Sequence, residues 1–242
     1  MNYYLFKQAV KITSPIFFGY LAIGIPFGIM TVNAGYPWYF APFMSLFMYA
    51  GAGQYVAIGM LAVGASLSEI LIAEFFVNIR HIVYGLSLIT KFKAMGKWKA
   101  VLAYALTDET YAVLSNLELP KNAKAGPFYG TVALLDFAYW TLGGTIGALA
   151  CSIIHKYNME SWLQGVDFAL TALFIVILIE QIKKSHDVLP PAIGLISCTG
   201  TLILCKVGIL PQNNIILVAI IIGIVAIILL RGRRKTNATL SA

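Results

Sequence analysis

Residues 127–155 read PFYGTVALLDFAYWTLGGTIGALACSIIH, with one acid, Asp136, and no Lys or Arg. A helix needs about twenty consecutive apolar residues to cross a bilayer, and this run exceeds that length. A transmembrane barrel strand would instead alternate apolar and polar residues over about ten positions. In lipid every backbone N–H and C=O must be paired inside the protein, so a continuous apolar run of this kind reads as a spanning helix.

The rest of the chain agrees. Of 242 residues, 60% are hydrophobic and 11% charged, and mean hydropathy is +0.82. A soluble domain carries roughly 25% charged residues, so much of this surface must be solvated by lipid. Eight apolar segments are expected: Ser14–Val32, Trp38–Val63, Leu67–Thr90, Trp98–Asn116, Pro127–His155, Trp162–Ile182, Pro190–Lys206 and Asn214–Leu230. Connections are short, so the expected fold is all-α, a single polytopic membrane bundle over residues 1–242, embedded from about 14 to 230. Lys7 and Lys11 before the first segment resemble a signal peptide, but no convincing small-residue cleavage site follows, so the segment reads as a retained helix. The tail 231–242, with Arg231, Arg233, Arg234 and Lys235, is expected to be a disordered cytoplasmic extension.

Net charge is +7 and the sequence pI about 9.3. The cations sit in juxtamembrane loops, which points to positive-inside bias and away from nucleic acid. Two topologies fit. With eight full spans, Lys and Arg outside the spans divide 10 inside and 6 outside; with segments two and seven re-entrant they divide 11 and 5. Segment two has a candidate break at Ala50-Gly51-Ala52-Gly53, and segment seven at Pro190-Pro191 and Gly200. Cys151, Cys198 and Cys205 have no metal-ligand spacing and read as packing residues.

Ionisable groups inside apolar helices are costly and mark function, or interhelical ion pairs, by default. In the third segment Glu74, Asn78 and His81 share one helical face, and Arg80 points elsewhere. Asp136 or Asp167 is a candidate partner for Arg80. In the fourth segment Tyr104, Asp108, Tyr111 and Ser115 fall on one stripe of a continuous helix, with Glu109 beside Asp108. Such a stripe suits a water-lined path or a substrate ammonium, or else interhelical hydrogen bonds. Gly24-Ile-Pro26-Phe27-Gly28 and Ala50-Gly51-Ala52-Gly53-Gln54 read as helix breaks, whose exposed backbone groups bind ligands at membrane depth in transporters. Gly143 and Gly147 are explained as well by close helix packing. No hydrolase, zinc, Walker A or dinucleotide signature occurs, so no cofactor, no metal and no enzyme activity are expected. An intramembrane enzyme using Glu74 and His81, or a channel or transporter for another small solute, are the rival readings.

Several motifs follow one another in a familiar order: Pro26-Phe-Gly28, Tyr49-Ala-Gly51-Ala-Gly-Gln54, Arg80-His81-x-x-Tyr84-Gly85, Leu106-Thr-Asp108-Glu109, Gly143-Gly-Thr145-Ile-Gly147 and Ala172-Leu-Phe174. Together they resemble the AzlC family, the large permease subunit of branched-chain amino acid exporters, from about residue 14 to 230. The resemblance implies export of leucine, isoleucine and valine across a prokaryotic cytoplasmic membrane, together with a small hydrophobic AzlD-type partner subunit. On the combined reading, Gly24, Pro26, Phe27, Gly28, Gly51, Gly53, Gln54, Asn78, Tyr104 and Trp140 are candidate substrate contacts. Glu74, Arg80, His81, Asp108, Glu109 and Asp136 are candidate coupling or gating groups, with protons the expected coupling ion.

Overall fold

The computed structural model describes residues 3–93, 95–163, 187–211 and 215–240, together with 175, 178, 179, 182 and 183. Its helices are α1 (Tyr3–Asn33), α2 (Phe40–Phe47), α3 (Gly51–Ala62), α4 (Leu67–Phe92), α5 (Trp98–Tyr104), α6 (Asp108–Asn116), α7 (Ala125–Lys156), α8 (Leu189–Lys206) and α9 (Ile215–Leu240). A 3-10 turn, Glu160–Leu163, follows α7. There is no strand among the described residues. Helices α1, α4, α7 and α8 are long and apolar enough to cross a membrane. Along α4, Leu71, Phe75, Ile82, Val83, Leu86 and Ile89 are all exposed, an apolar face that lipid must cover. The chain is an all-α polytopic integral membrane protein.

Two compact units emerge: residues 1–59 with 77–170, and residues 60–76 with 171–242. In the second unit α8 buries Ile193, Ser197 and Thr201, one helical turn apart, and Ser197 faces Gly223 of α9. The expected interruption of segment seven is absent. Pro190 and Pro191 lie in the first turn of α8, where a missing N–H costs nothing, and the helix runs unbroken past Gly200. Helix α9 is bounded at Leu240. Segment six, Trp162–Ile182, lies largely outside the described residues, as do Asp167 and Ala172-Leu-Phe174.

The first unit is organised on α1 and α7, which pack side by side and run parallel. Thr13 meets Tyr139, and further along both helices Asn33 meets Cys151. Between them the backbones touch glycine to glycine. A methyl built on Gly24 would lie 3.2 Å from the Gly143 Cα, one on Gly28 would overlap the Gly144 carbonyl, and one on Gly147 would overlap the Ile25 carbonyl. Small residues let apolar helices approach closely enough for dispersion to hold them without a hydrophobic drive. This corrects the expected break at Gly24–Gly28: α1 is continuous with Pro26 inside it. The glycines serve contact with α7, and the carbonyl of Ile23, one turn before Phe27, is taken by the Tyr55 hydroxyl.

Segments two and four are each a helical hairpin. Helix α2 ends at Phe47, residues 48–50 turn, and α3 returns. Gln54 of α3 donates to Ser45 Oγ of α2 at 3.0 Å. Helix α3 then climbs beside α1 in the same direction, with Tyr55 against Phe27 and Gly59 facing Met30. Segment four does the same from the opposite end. Helix α6 runs parallel to the end of α4: Tyr84 meets Asp108, Ser87 meets Tyr111, and Lys91 Nζ donates to the carbonyls of Leu114 and Leu117. Entry and exit of this hairpin lie together, where Trp98 packs on Gly126 and Gly130 at the start of α7 and Tyr129 donates to the Leu117 carbonyl. The expected re-entrant turn of segment two is therefore present, while segment four, expected as a full span, also folds back and segment seven does not.

Candidate functional site

The two hairpin tips meet inside the first unit. The C-terminal carbonyls of a helix have no partner within it. At the end of α2 two of them, Ser45 and Leu46, accept the hydroxyl of Tyr104, itself the last residue of α5. Tyr49, in the first turn, is buried at 6% exposure and reaches Tyr20 Oη at 3.4 Å. The second break falls at residues 105–107 because Thr107 is an N-cap. Its side chain accepts from the Thr110 amide, and Asp108 and Glu109 occupy the first turn of α6, where acids suit the helix dipole. The expected polar stripe is corrected by this break. Tyr104 lies on α5 and reaches the end of α2, while Asp108 and Tyr111 lie on α6 and face α4.

Asp108 is an ion-pair partner. Its Oδ2 is 2.9 Å from Arg80 Nη2, and its Oδ1 accepts the Tyr84 hydroxyl at 2.6 Å. Tyr84 in turn stacks on Tyr111 with ring centroids 4.3 Å apart. Arg80 is thus paired from α6 and not by Asp136, one of the partners suggested by sequence; the other, Asp167, lies outside the described residues. Glu109 turns the other way and accepts the Tyr20 hydroxyl at 2.9 Å. Tyr20 Oη also lies 2.7 Å from Thr107 Oγ1. Thr110 joins Thr107 at 3.1 Å and donates to Asp136 Oδ2 at 2.9 Å. Asp136 is wholly buried, and its Oδ1 accepts no hydrogen bond among the described residues.

A second buried cluster supports the tip of the α2–α3 hairpin. Gln54, fully buried, accepts the Trp140 indole N–H at 2.7 Å while donating to Ser45. Trp140 stacks on Phe27 and meets Tyr20 edge-on; Gly51 leaves room for its ring, which a Cβ would approach to 3.1 Å. Phe27 and Trp140 are 0% and 1% exposed, so neither lines open space in this conformation. Gly53 is buried.

The remaining candidates lie on α4. Glu74 is buried, while Asn78 and His81 are half-buried. His81 lines a cavity of about 360 Å³ with Gly85, Ile89, Phe92, Lys93, Lys99, Ala103 and Leu106, between α4 and α5. That volume falls within the roughly 300–1,000 Å³ of small-molecule sites. None of the other sequence candidates lines it. Sequence reasoning missed Tyr20, Tyr49, Ser45, Thr107 and Thr110 as site residues. For Thr107 a signal existed: Thr followed by two acids opens a helix, even inside an apolar run.

Two hairpins with broken backbone, meeting beside Glu109 and the buried Asp136, define a polytopic membrane protein with discontinuous helices. The sequence comparisons name it more closely. The family described as AzlC protein matches residues 15–154, and the chain belongs to that family. It is 35% identical to the branched-chain amino acid transport protein AzlC of Bacillus subtilis over 82% of this chain and 76% of that one. It is 36% identical to an uncharacterized membrane protein of Helicobacter pylori, over 93% and 95% of the two chains. The inner membrane protein YgaZ of Escherichia coli is 29% identical over 75% of each. No solved structure matches the chain.

Proposed function

We propose that this protein is a secondary transporter that exports branched-chain amino acids, coupled to protons and working with a small AzlD-type subunit. The observation that carries the reading is the meeting of two oppositely entering hairpins at residues 48–50 and 105–107, with Tyr20 bonded to both breaks. Backbone of this kind is tolerated at membrane depth where it lines a path for solute. The likeness to the branched-chain amino acid transport protein AzlC of Bacillus subtilis supports the substrate class.

The geometry supports a different division of roles from the one expected from sequence. Gly24 to Gly28 lie in a continuous helix and leave the substrate carboxylate to the first amides of α3, Gly51 to Gly53. Asp108 is already paired with Arg80, which leaves Glu109 as the acid for the ammonium or the proton. The apolar cavity beside His81 serves as the vestibule, with Lys93 and Lys99 in its lining to attract the carboxylate. Lys7, Lys11, Lys93, Lys97, Lys99, Lys121 and Lys124 all belong to the end of the unit where α1 begins, which the positive-inside bias makes cytoplasmic.

The test is efflux of labelled leucine from preloaded cells expressing the chain with and without an AzlD-type subunit. Saturable efflux that valine and isoleucine slow supports the reading. Efflux unaffected by those competitors supports a channel or a carrier of other solutes.

A further inference from the structure

Glu109 and Asp136 are the two acids of the first unit held deepest among the hairpin tips, and a chain of hydroxyls joins them. Successive oxygens are separated by 2.9 Å from Glu109 to Tyr20, 2.7 Å from Tyr20 to Thr107, 3.1 Å from Thr107 to Thr110 and 2.9 Å from Thr110 to Asp136. Such separations suit O–H···O hydrogen bonds. Tyr20, Thr107, Thr110 and Asp136 are all under 5% exposed, so water does not compete along the chain. Among the described residues no cation lies within 4.0 Å of either acid. The titratable groups facing the chain are Tyr49, at the turn between α2 and α3, and Asp108, which is bound to Arg80 and Tyr84. Asp136 Oδ1 has no hydrogen-bond partner among the described residues. A buried carboxylate in that state is costly, and a proton on it removes the cost.

We propose that Glu109 and Asp136 share one proton, passed between them through Tyr20, Thr107 and Thr110. A hydroxyl both donates and accepts, so the transfer balances without any other reactant. The proton on Glu109 moves to Tyr20 Oη, the Tyr20 proton moves to Thr107 Oγ1, the Thr107 proton to Thr110 Oγ1, and the Thr110 proton to Asp136 Oδ2. Each O–H bond broken is matched by one formed, Glu109 ends as carboxylate and Asp136 as neutral acid. Thr107 sits in the break between α5 and α6, so displacement of that hairpin opens the chain and traps the proton on one side. The use of this proton rests on the transport reading above, but the transfer itself needs no substrate.

The test is infrared difference spectroscopy after a pH jump on the full-length chain in lipid vesicles, without substrate. A protonated-carboxyl band is expected that Asp136→Asn removes. In Tyr20→Phe that band should appear about 10²-fold more slowly, the usual loss when a positioned proton-transfer group is removed. Thr107→Ser, which keeps the hydroxyl, should retain the wild-type rate. A band as fast in Tyr20→Phe as in wild type, or one that survives Asp136→Asn, overturns the proposal. An intact relay spectrum in a protein that fails to move leucine supports the relay and counts only against the substrate assignment.

Discussion

Tyr104 Oη lies 3.3 Å from the Ser45 carbonyl oxygen, so the last residue of one half-helix caps the end of another that enters the fold from the opposite side. With Leu46 as second acceptor, this phenol satisfies carbonyls that would otherwise face apolar surroundings. Tyr104→Phe should cost about 1 kcal/mol of stability, the net worth of a hydrogen bond. A lowered melting temperature of the purified protein checks this, with a larger loss of leucine efflux than the small stability change explains.

Labelling separates a hairpin from a span in segment four. Lys97 and Lys121 are both exposed and flank the α5–α6 hairpin at one end. Cysteines placed at 97 and 121 should react with a membrane-impermeant reagent from the same face of the membrane. Reaction from opposite faces would show that segment four crosses.

The contacts between α1 and α7 predict a sharp positional contrast among glycines. Gly28→Ala and Gly147→Ala would push a methyl into backbone, whereas nothing lies within 4 Å of a methyl on Gly19. The first two should lose about 1–3 kcal/mol, the usual penalty of overpacking; Gly19→Ala should be neutral. Melting temperatures of the three variants in one detergent give the comparison.

Arg80 and Asp108 are each about a third exposed, at 36% and 37%, so their pairing is worth about 1 kcal/mol or less. Asp108→Asn should therefore fold and reach the membrane. If the pair is structural, the double variant Arg80→Gln with Asp108→Asn should transport as well as wild type. If the charges gate the hairpin, transport should fall in the single and the double variants alike while expression holds.

Much of this was legible in the residues. Helix content and the membrane setting follow from the apolar runs, and the costly polar groups that interrupt them single out Asp108, Glu109, Gln54 and Asp136, which the fold gathers around the hairpin tips. What escaped depends on contacts distant in sequence. Two half-helices such as α2 and α3 sum to the length of one span, so hydropathy alone does not separate a hairpin from a crossing. Gly24 to Gly28 combines the marks of a broken helix with those of a packing face, and only the glycines of α7 opposite decide between them. Tyr20 looks like any aromatic in an apolar helix until Thr107 and Glu109 are brought against its hydroxyl.

The most direct measurement is loss of labelled leucine from proteoliposomes holding the chain with an AzlD-type subunit, under an imposed proton gradient. Acid outside should speed leucine loss, valine should compete, and Glu109→Gln should abolish the effect of the gradient. Leucine loss that is indifferent to the gradient in the wild-type protein would contradict proton-coupled export.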